Sequence, residues 1–507
     1  MSRTQQSDIH RILELNKRNL HLSDFVHLSR CEHGLILFHS LRMDVGFIPW
    51  CIVSKSKTNL DEFLLRNRFV YDCSECRDRA DAAELDSAIS SVCLGEVQIN
   101  VYKVFITDNC NLDCDYCLIE QNLLAEKARR VGGMTLESCN ELIDRIRAHC
   151  EGAHRSQNRT IMLYGGEPLM NFQAVEQIVA GIRSIEKELD DQRFEIVLET
   201  NGTLVTEQIA RYLAREKVAA LVSLDGTKEC HDSRRKTRFG TGSWEMAIRG
   251  VETLRDAGVS VGISTVFTPE IAPEAGVNIV RLSKALGIRS FGLNLFHLAK
   301  TAKGKDLIID EHISDYVRAW RYCRLAGIYI EHVARRIRPL VEGRLRPRDC
   351  TACGGRAVVT PDGKLGICEA LIGESSAFRE MSFLDAEEDA LFREWSTRTP
   401  LLWDDCRQCI ALGLCGGGCA YNALFETGTI HAPDRYICAQ SKALVIESLK
   451  ILSSEHIDLW KATANDRFPI LLSKAQKEIL YGEVPERPMV PLQYLSRQQE
   501  HQSTDVV

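Results

Sequence analysis

Eleven of the chain's twenty cysteines gather in two fields, and this placement limits the fold and the chemistry more than any other feature of the sequence. The first field is Cys110-x3-Cys114-x2-Cys117; the second begins at Cys350 and ends at Cys438. An even count invites ten disulfides, but residues 1–19 are polar and lack the apolar core of a signal peptide. The expected location is cytoplasmic, where disulfides are rare and clustered thiols bind metal. No run approaches the roughly 18 consecutive apolar residues that cross a bilayer, so no membrane partner is expected. The 63 Lys+Arg against 70 Asp+Glu give a net charge of −7, with no long basic run and no sign of a nucleic-acid partner.

At roughly 100–200 residues per domain, 507 residues suggest two to four domains. Residues 1–95 read as a small α+β module, with strands at 35–41 and 46–50 and helices at 60–70 and 80–89. From 99 to 300, β-rich runs (101–107, 160–165, 194–200, 219–224, 259–267 and 290–296) alternate with amphipathic stretches such as 172–188 and 244–258. Such alternation predicts an α/β core with a parallel sheet, open or closed as a barrel. Residues 301–349 read as an Arg-rich helical bridge, 350–440 as a Cys- and Gly-dense region, and 441 to about 476 as helix before a mobile tail.

Parallel strands carry their chemistry on the loops at their carboxyl ends, and the unusual residues fall there. The run 101–107 leads into the Cys110–Cys117 loop, 160–165 into Gly165-Gly166-Glu167-Pro168, 194–200 into Asn201-Gly202 and 219–224 into Asp225-Gly226. Three thiolates on one loop can hold three corners of a [4Fe–4S] cube, which normally takes four cysteines, and leave one iron open. A zinc loop is the alternative, although zinc sites usually draw on two C-x2-C pairs.

Together the triad, Gly165-Gly166-Glu167-Pro168-Leu169, Thr200-Asn201-Gly202-Thr203 and Ser223-Leu224-Asp225-Gly226 resemble the radical S-adenosylmethionine (radical SAM) enzymes. The resemblance covers 99–300 and implies a partial (β/α)6 TIM-like barrel. It implies that Cys110, Cys114 and Cys117 hold a cluster whose open iron S-adenosylmethionine (SAM) chelates. Gly165, Gly166 and Glu167 would meet the methionine amino group, the Tyr116 backbone the adenine, Ser223 the ribose side, and Arg235 the carboxylate. Arg234 is the adjacent alternative.

The second field reads Cys350-x2-Cys353-x9-Gly363-x4-Cys368, then Cys406-x2-Cys409-x5-Cys415-x3-Cys419, then Cys438. This resembles the SPASM extension of radical SAM enzymes, a C-terminal Cys-rich iron–sulfur domain. The resemblance implies two auxiliary [4Fe–4S] clusters, three in all, one held by Cys350, Cys353, Cys368 and Cys419, the other by Cys406, Cys409, Cys415 and Cys438. Spacing alone also allows a pair of zinc sites. Sulfatase-maturating members place an Asp after the cysteine that answers to Cys368, as proton acceptor; here the residue is Glu369, whose longer side chain moves the carboxylate. Of the remaining cysteines, Cys73-x2-Cys76 reads as unremarkable and the others as ordinary thiols.

The resemblance implies reductive cleavage of SAM to a 5′-deoxyadenosyl radical, a reductant such as flavodoxin or ferredoxin, and a precursor peptide or protein as substrate. The leading expectation is a peptide maturase forming thioether or carbon–carbon crosslinks, with residues 1–95 as a peptide-recognition module that adds the peptide as a strand. A formylglycine-forming sulfatase maturase is the alternative within the class. A non-catalytic metal-binding or electron-carrier protein is the alternative outside it.

Overall fold

The computed structural model describes residues 20–55, 57–125, 130–152, 158–189, 191–295, 309–456 and 470–482. Six strands follow one another in both sequence and space: β1 (Val101–Thr107), β2 (Asn158–Gly165), β3 (Arg193–Thr200), β4 (Val218–Ser223), β5 (Val261–Phe267) and β6 (Ser290–Leu295). Each is parallel to the next, as the alternation of strand and helix predicts. The crossover helices bury one apolar stripe. In Phe172–Glu188 it runs through Ala174, Val175, Ile178, Val179, Ile182 and Ile185, the i, i+3, i+4 spacing of a helix packed on a sheet. Thr135 and Thr206 accept from the third N–H of the helices they open, satisfying donors that the first turn leaves unpaired.

The sheet crosses both boundaries expected from sequence. Tyr329–Ile330 (β7) pairs in parallel with β6, so the stretch read as an all-helical bridge contains a strand between helices Ile309–Leu325 and Glu331–Glu342. Arg356–Val359 (β8) pairs in parallel with β1 and turns back through Leu365–Gly366 and Phe378–Arg379. The second cysteine field is therefore joined by backbone hydrogen bonds to the strand that leads into the first.

At the N-terminus, Val26–Arg30, Gly34–His39 and Val45–Pro49 form an antiparallel sheet. Its strands alternate between two cores, which explains their nearly continuous burial: Leu35, Leu37 and Ile48 pack on Leu60, Leu64 and Phe69, while Ile36, Phe38 and Phe47 join the main core. The first helix read there ends at Arg66, and Val70 instead lies in a short strand, because the chain turns at Arg68 with φ 51°. Ser74–Ser90 is one helix, opened by Cys73, and Cys73 and Cys76 form a disulfide. The fourth strand of this sheet, Ile470–Leu471, comes from the other end of the chain, where helix had been expected. The C-terminal helix Arg435–Glu455 stops before it, and the tail after Pro485 lies outside the described residues.

Candidate active site

β1 ends at Thr107, and the next loop carries Cys110, Cys114 and Cys117. Within it, Leu112–Cys114 forms a short strand antiparallel to Arg235–Thr237, with Cys114 opposite Arg235. That pairing brings the arginine to the thiols. Burial pushes the Cys110 thiol up to about 11 and Cys114 up to about 12, against the pull of Arg235 on the latter. Thiols so little ionised at neutral pH become thiolates when a metal cation replaces the proton.

Asp225, 2% exposed, organises this corner. It accepts from Arg235 Nε at 2.8 Å, from the Val266 N–H at 2.9 Å and from the Tyr116 hydroxyl. Burial alone would raise the Asp225 carboxyl, but the Arg235 guanidinium outweighs it and holds the group below the ordinary carboxylate range. The anion already paired with Arg235 is thus this chain's own. Arg234 pairs instead with Asp115, at 3.2 Å, and with Glu270, both far more exposed than Asp225, so their partners separate the two adjacent arginines.

The loop after β2 closes on the cysteine loop. A Cβ on Gly166 would stand 2.1 Å from the Asn109 carbonyl oxygen, a gap only glycine fits. Glu167 is fully buried and accepts from Thr200 Oγ1 and the Asn201 N–H, both at 2.7 Å, and from the Leu169 N–H at 3.1 Å. Its carboxylate is spent inside the chain, clasping the loops after β2 and β3. What Gly165, Gly166 and Glu167 have left for a ligand's amino group is backbone. Asn201 Nδ2 donates to Asn111 Oδ1 at 2.9 Å and lies 3.9 Å from the Cys110 sulfur. Ser223 ends β4, half-buried and in register with Ser264.

Residues 104–282 match the Radical SAM superfamily. The chain carries a radical SAM domain. Among its relatives, the radical SAM cyclopropyl synthase TigE of Paramaledivibacter caminithermalis is 21% identical, over 85% of this chain and 96% of the relative. The serine-type anaerobic sulfatase-maturating enzyme of Klebsiella aerogenes is 26% identical, over 61% of this chain and 76% of the relative. Native anSMEcpe with bound AdoMet shares the fold with a TM-score of 0.57 at 20% identity, over 68% of this chain and 96% of that one. A radical SAM domain implies SAM and a [4Fe–4S] cluster. Three half-buried thiols on one loop, met by a loop that only glycine lets approach, suit that pair.

Beyond the radical SAM domain, the remaining thiols separate into two groups. Cys406, Cys409, Cys415 and Cys438 line a single cavity with Trp403 and Gly417. Cys350 acts electrostatically on Cys353, Cys368 and Cys419; a hydrogen bond from the Cys353 thiol lowers Cys350, and burial raises Cys368 and Cys419. Glu369, after Cys368, pairs with Lys103 of β1 at 3.2 Å and Arg356 of β8 at 2.7 Å. Burial would raise its carboxyl, but these two cations outweigh burial and hold it well below the usual range. Lys103 also faces Glu199 at 3.6 Å and the Tyr164 ring at 3.8 Å. Lys103, Glu199 and Arg356 had not been picked out from sequence. The available signal was a lysine inside the otherwise uncharged run Val101–Thr107, every residue of which is buried.

Proposed function

We propose that this protein is a radical SAM/SPASM peptide maturase, built on a partial (β/α)6 barrel, that oxidatively modifies a side chain of a precursor peptide or protein. The observation that carries the reading is the Glu369–Lys103 ion pair. It ties the residue next to an auxiliary cysteine to the strand that feeds the SAM-side cysteines, which supports a single site served by both fields. When bound, SAM and the first cluster supply a carbon-centred oxidant that abstracts hydrogen, and two auxiliary [4Fe–4S] clusters supply an electron path. The chain's own residues do the positioning. Asp225 fixes Tyr116 and Arg235, Glu167 clasps two loops, and Lys103 with Arg356 aims an ionised Glu369 inward as a proton acceptor. The two cations weaken its basicity, so substrate binding must loosen one of them for efficient transfer.

The N-terminal sheet is read as the peptide-recognition module. Its Val45–Pro49 edge is taken by Ile470–Leu471, and Val26–Arg30 forms the opposite edge. An extended leader segment would add there.

The relatives also support formylglycine formation as a second reading. Anaerobic reconstitution followed by iron and sulfide analysis, SAM cleavage and mass spectrometry of a co-expressed precursor peptide tests both. A peptide that loses a pair of hydrogens and yields no hydrazide-reactive aldehyde supports crosslinking; an aldehyde captured by a hydrazide supports formylglycine. SAM cleavage that proceeds with Glu369→Gln while product disappears supports the acceptor role. Unchanged product removes it.

A further inference from the structure

Arg398 is 1% exposed, and its guanidinium is bound by backbone alone. Nε donates to the Ile430 carbonyl at 2.7 Å, Nη1 to Gly418 at 3.1 Å, and Nη2 to Gly417 at 2.6 Å and Ala432 at 2.9 Å. The cation also sits over the Trp403 ring, 5.0 Å from its centroid. No carboxylate among the described residues forms an ion pair with it. Asp434, two residues beyond Ala432, spends its oxygens on the N–H groups of Tyr436, Ile437 and Cys419 and on Asn422 Nδ2.

A guanidinium does not lose its proton in a protein. Buried without an anion, it costs more than neutral carbonyls return. Other buried arginines near the thiols touch a carboxylate: Arg235 has Asp225, Arg356 has Glu369, and Arg336 and Arg346 share Asp349. The countercharge for Arg398 must come from elsewhere, and its position says from where. Gly417 and Gly418, whose carbonyls it holds, lie between Cys415 of one set and Cys419 of the other. Residues 416–418 are all left-handed, with φ of 58°, 83° and 74°, and a Cβ on Gly417 would strike the guanidinium at 2.5 Å. Trp403, beneath the cation, lines the cavity of the second set, and Arg398 acts electrostatically on Cys353 of the first.

We propose that Arg398 is a positioning residue shared by the two auxiliary sets, the built-in countercharge for the clusters their thiolates would hold. A tetrathiolate cluster is a net anion that gains a further negative charge on reduction, and potentials respond to nearby charge. Arg398 therefore raises the potentials of both clusters and keeps them ready to accept an electron. The inference rests on the two-cluster reading.

The test is a reductive titration with dithionite, followed by electron paramagnetic resonance, of the full chain reconstituted in a Cys110→Ala/Cys114→Ala/Cys117→Ala background, where only auxiliary signals remain. About eight irons per chain must be present before Arg398 is altered; fewer would sink the two-cluster reading rather than the role of Arg398. Arg398→Gln with its iron retained should shift both midpoint potentials downward. Retained iron with unshifted potentials overturns the proposal. If Arg398→Gln loses iron, Arg398→Lys decides: full iron with potentials near the parent's supports a charge role, and loss of iron there too assigns the residue to holding carbonyls and overturns it.

Discussion

Cys110, Cys114 and Cys117 come from a single loop beside one balanced ion pair, whereas the eight C-terminal thiols come from segments on both sides of a helix and lie among surplus cations. Beside the triad, Arg235 meets Asp225 one to one. In the C-terminal field, Asp349 alone is faced by Arg336 at 2.9 Å, Arg346 at 2.7 Å and Arg335 at 3.5 Å, while Arg398 has carbonyls only. The contrast teaches that the triad's corner balances its charge within the chain, whereas the field expected to hold two tetrathiolate centres keeps cations with no carboxylate of their own.

The largest expected effect separates the two regions outright. Replacing Cys110, Cys114 and Cys117 by alanine should abolish SAM cleavage yet keep about eight of about twelve irons. Cys406→Ala/Cys409→Ala should do the reverse, keeping SAM cleavage while product formation fails. Cleavage lost equally in both would break the division of labour.

Next in size is Arg235→Gln, which strands a buried Asp225 carboxylate and should destabilise the fold by ~3–5 kcal/mol. Denaturant melts of the cluster-loaded protein measure it, and a loss below about 1 kcal/mol would show that Asp225 finds water. Glu167→Gln follows. It turns an amide toward donors that need an acceptor, at about 1–3 kcal/mol, and should cut SAM cleavage with iron content unchanged.

The smallest effect is in pH dependence. Burial raises the Glu331 carboxyl from its ordinary 4.5 to about 7, and its neighbours lie on the C-terminal side of the sheet. A raised carboxyl contributes stability that is complete below pH 4.5 and is lost as pH rises through about 7. The depressed Asp225 behaves oppositely: its contribution is complete above the ordinary value of 3.8 and fades only as pH falls below it. From pH 5 to about 7, thermal melts of Glu331→Gln should therefore gain on the parent and then hold level to pH 8, while the parent's Asp225 contribution stays constant across the range. A constant gap for Glu331→Gln would mean that the group ionises freely in the fold.

Much of the core was legible in the sequence because its signals are local. β1 to β6 and the loop residues after them follow from period and motif, and Phe172–Glu188 was located to the residue. What was not legible depends on distant partners. Nothing around Arg356 announces that it begins a strand parallel to Val101, and nothing around Arg398 says that Gly417, Gly418, Ile430 and Ala432 will converge on it. Glu167 could be found by motif, but not that its carboxylate would be consumed by Thr200 and Asn201. The strand at Ile470–Leu471 was missed for the same reason, being too short to carry a pattern and defined only by its pairing.

That last strand also fixes an order of events during synthesis. The sheet near the N-terminus leaves the ribosome first, yet its Val45–Phe47 edge stays open until Ile470, Leu471 and Leu472 emerge to pair with it. By then every cysteine of the chain has been made. The first module to appear is thus among the last to be finished, and the nascent chain carries an open β-edge, with its hazard of wrong pairing, until after the last of its cysteines has been made.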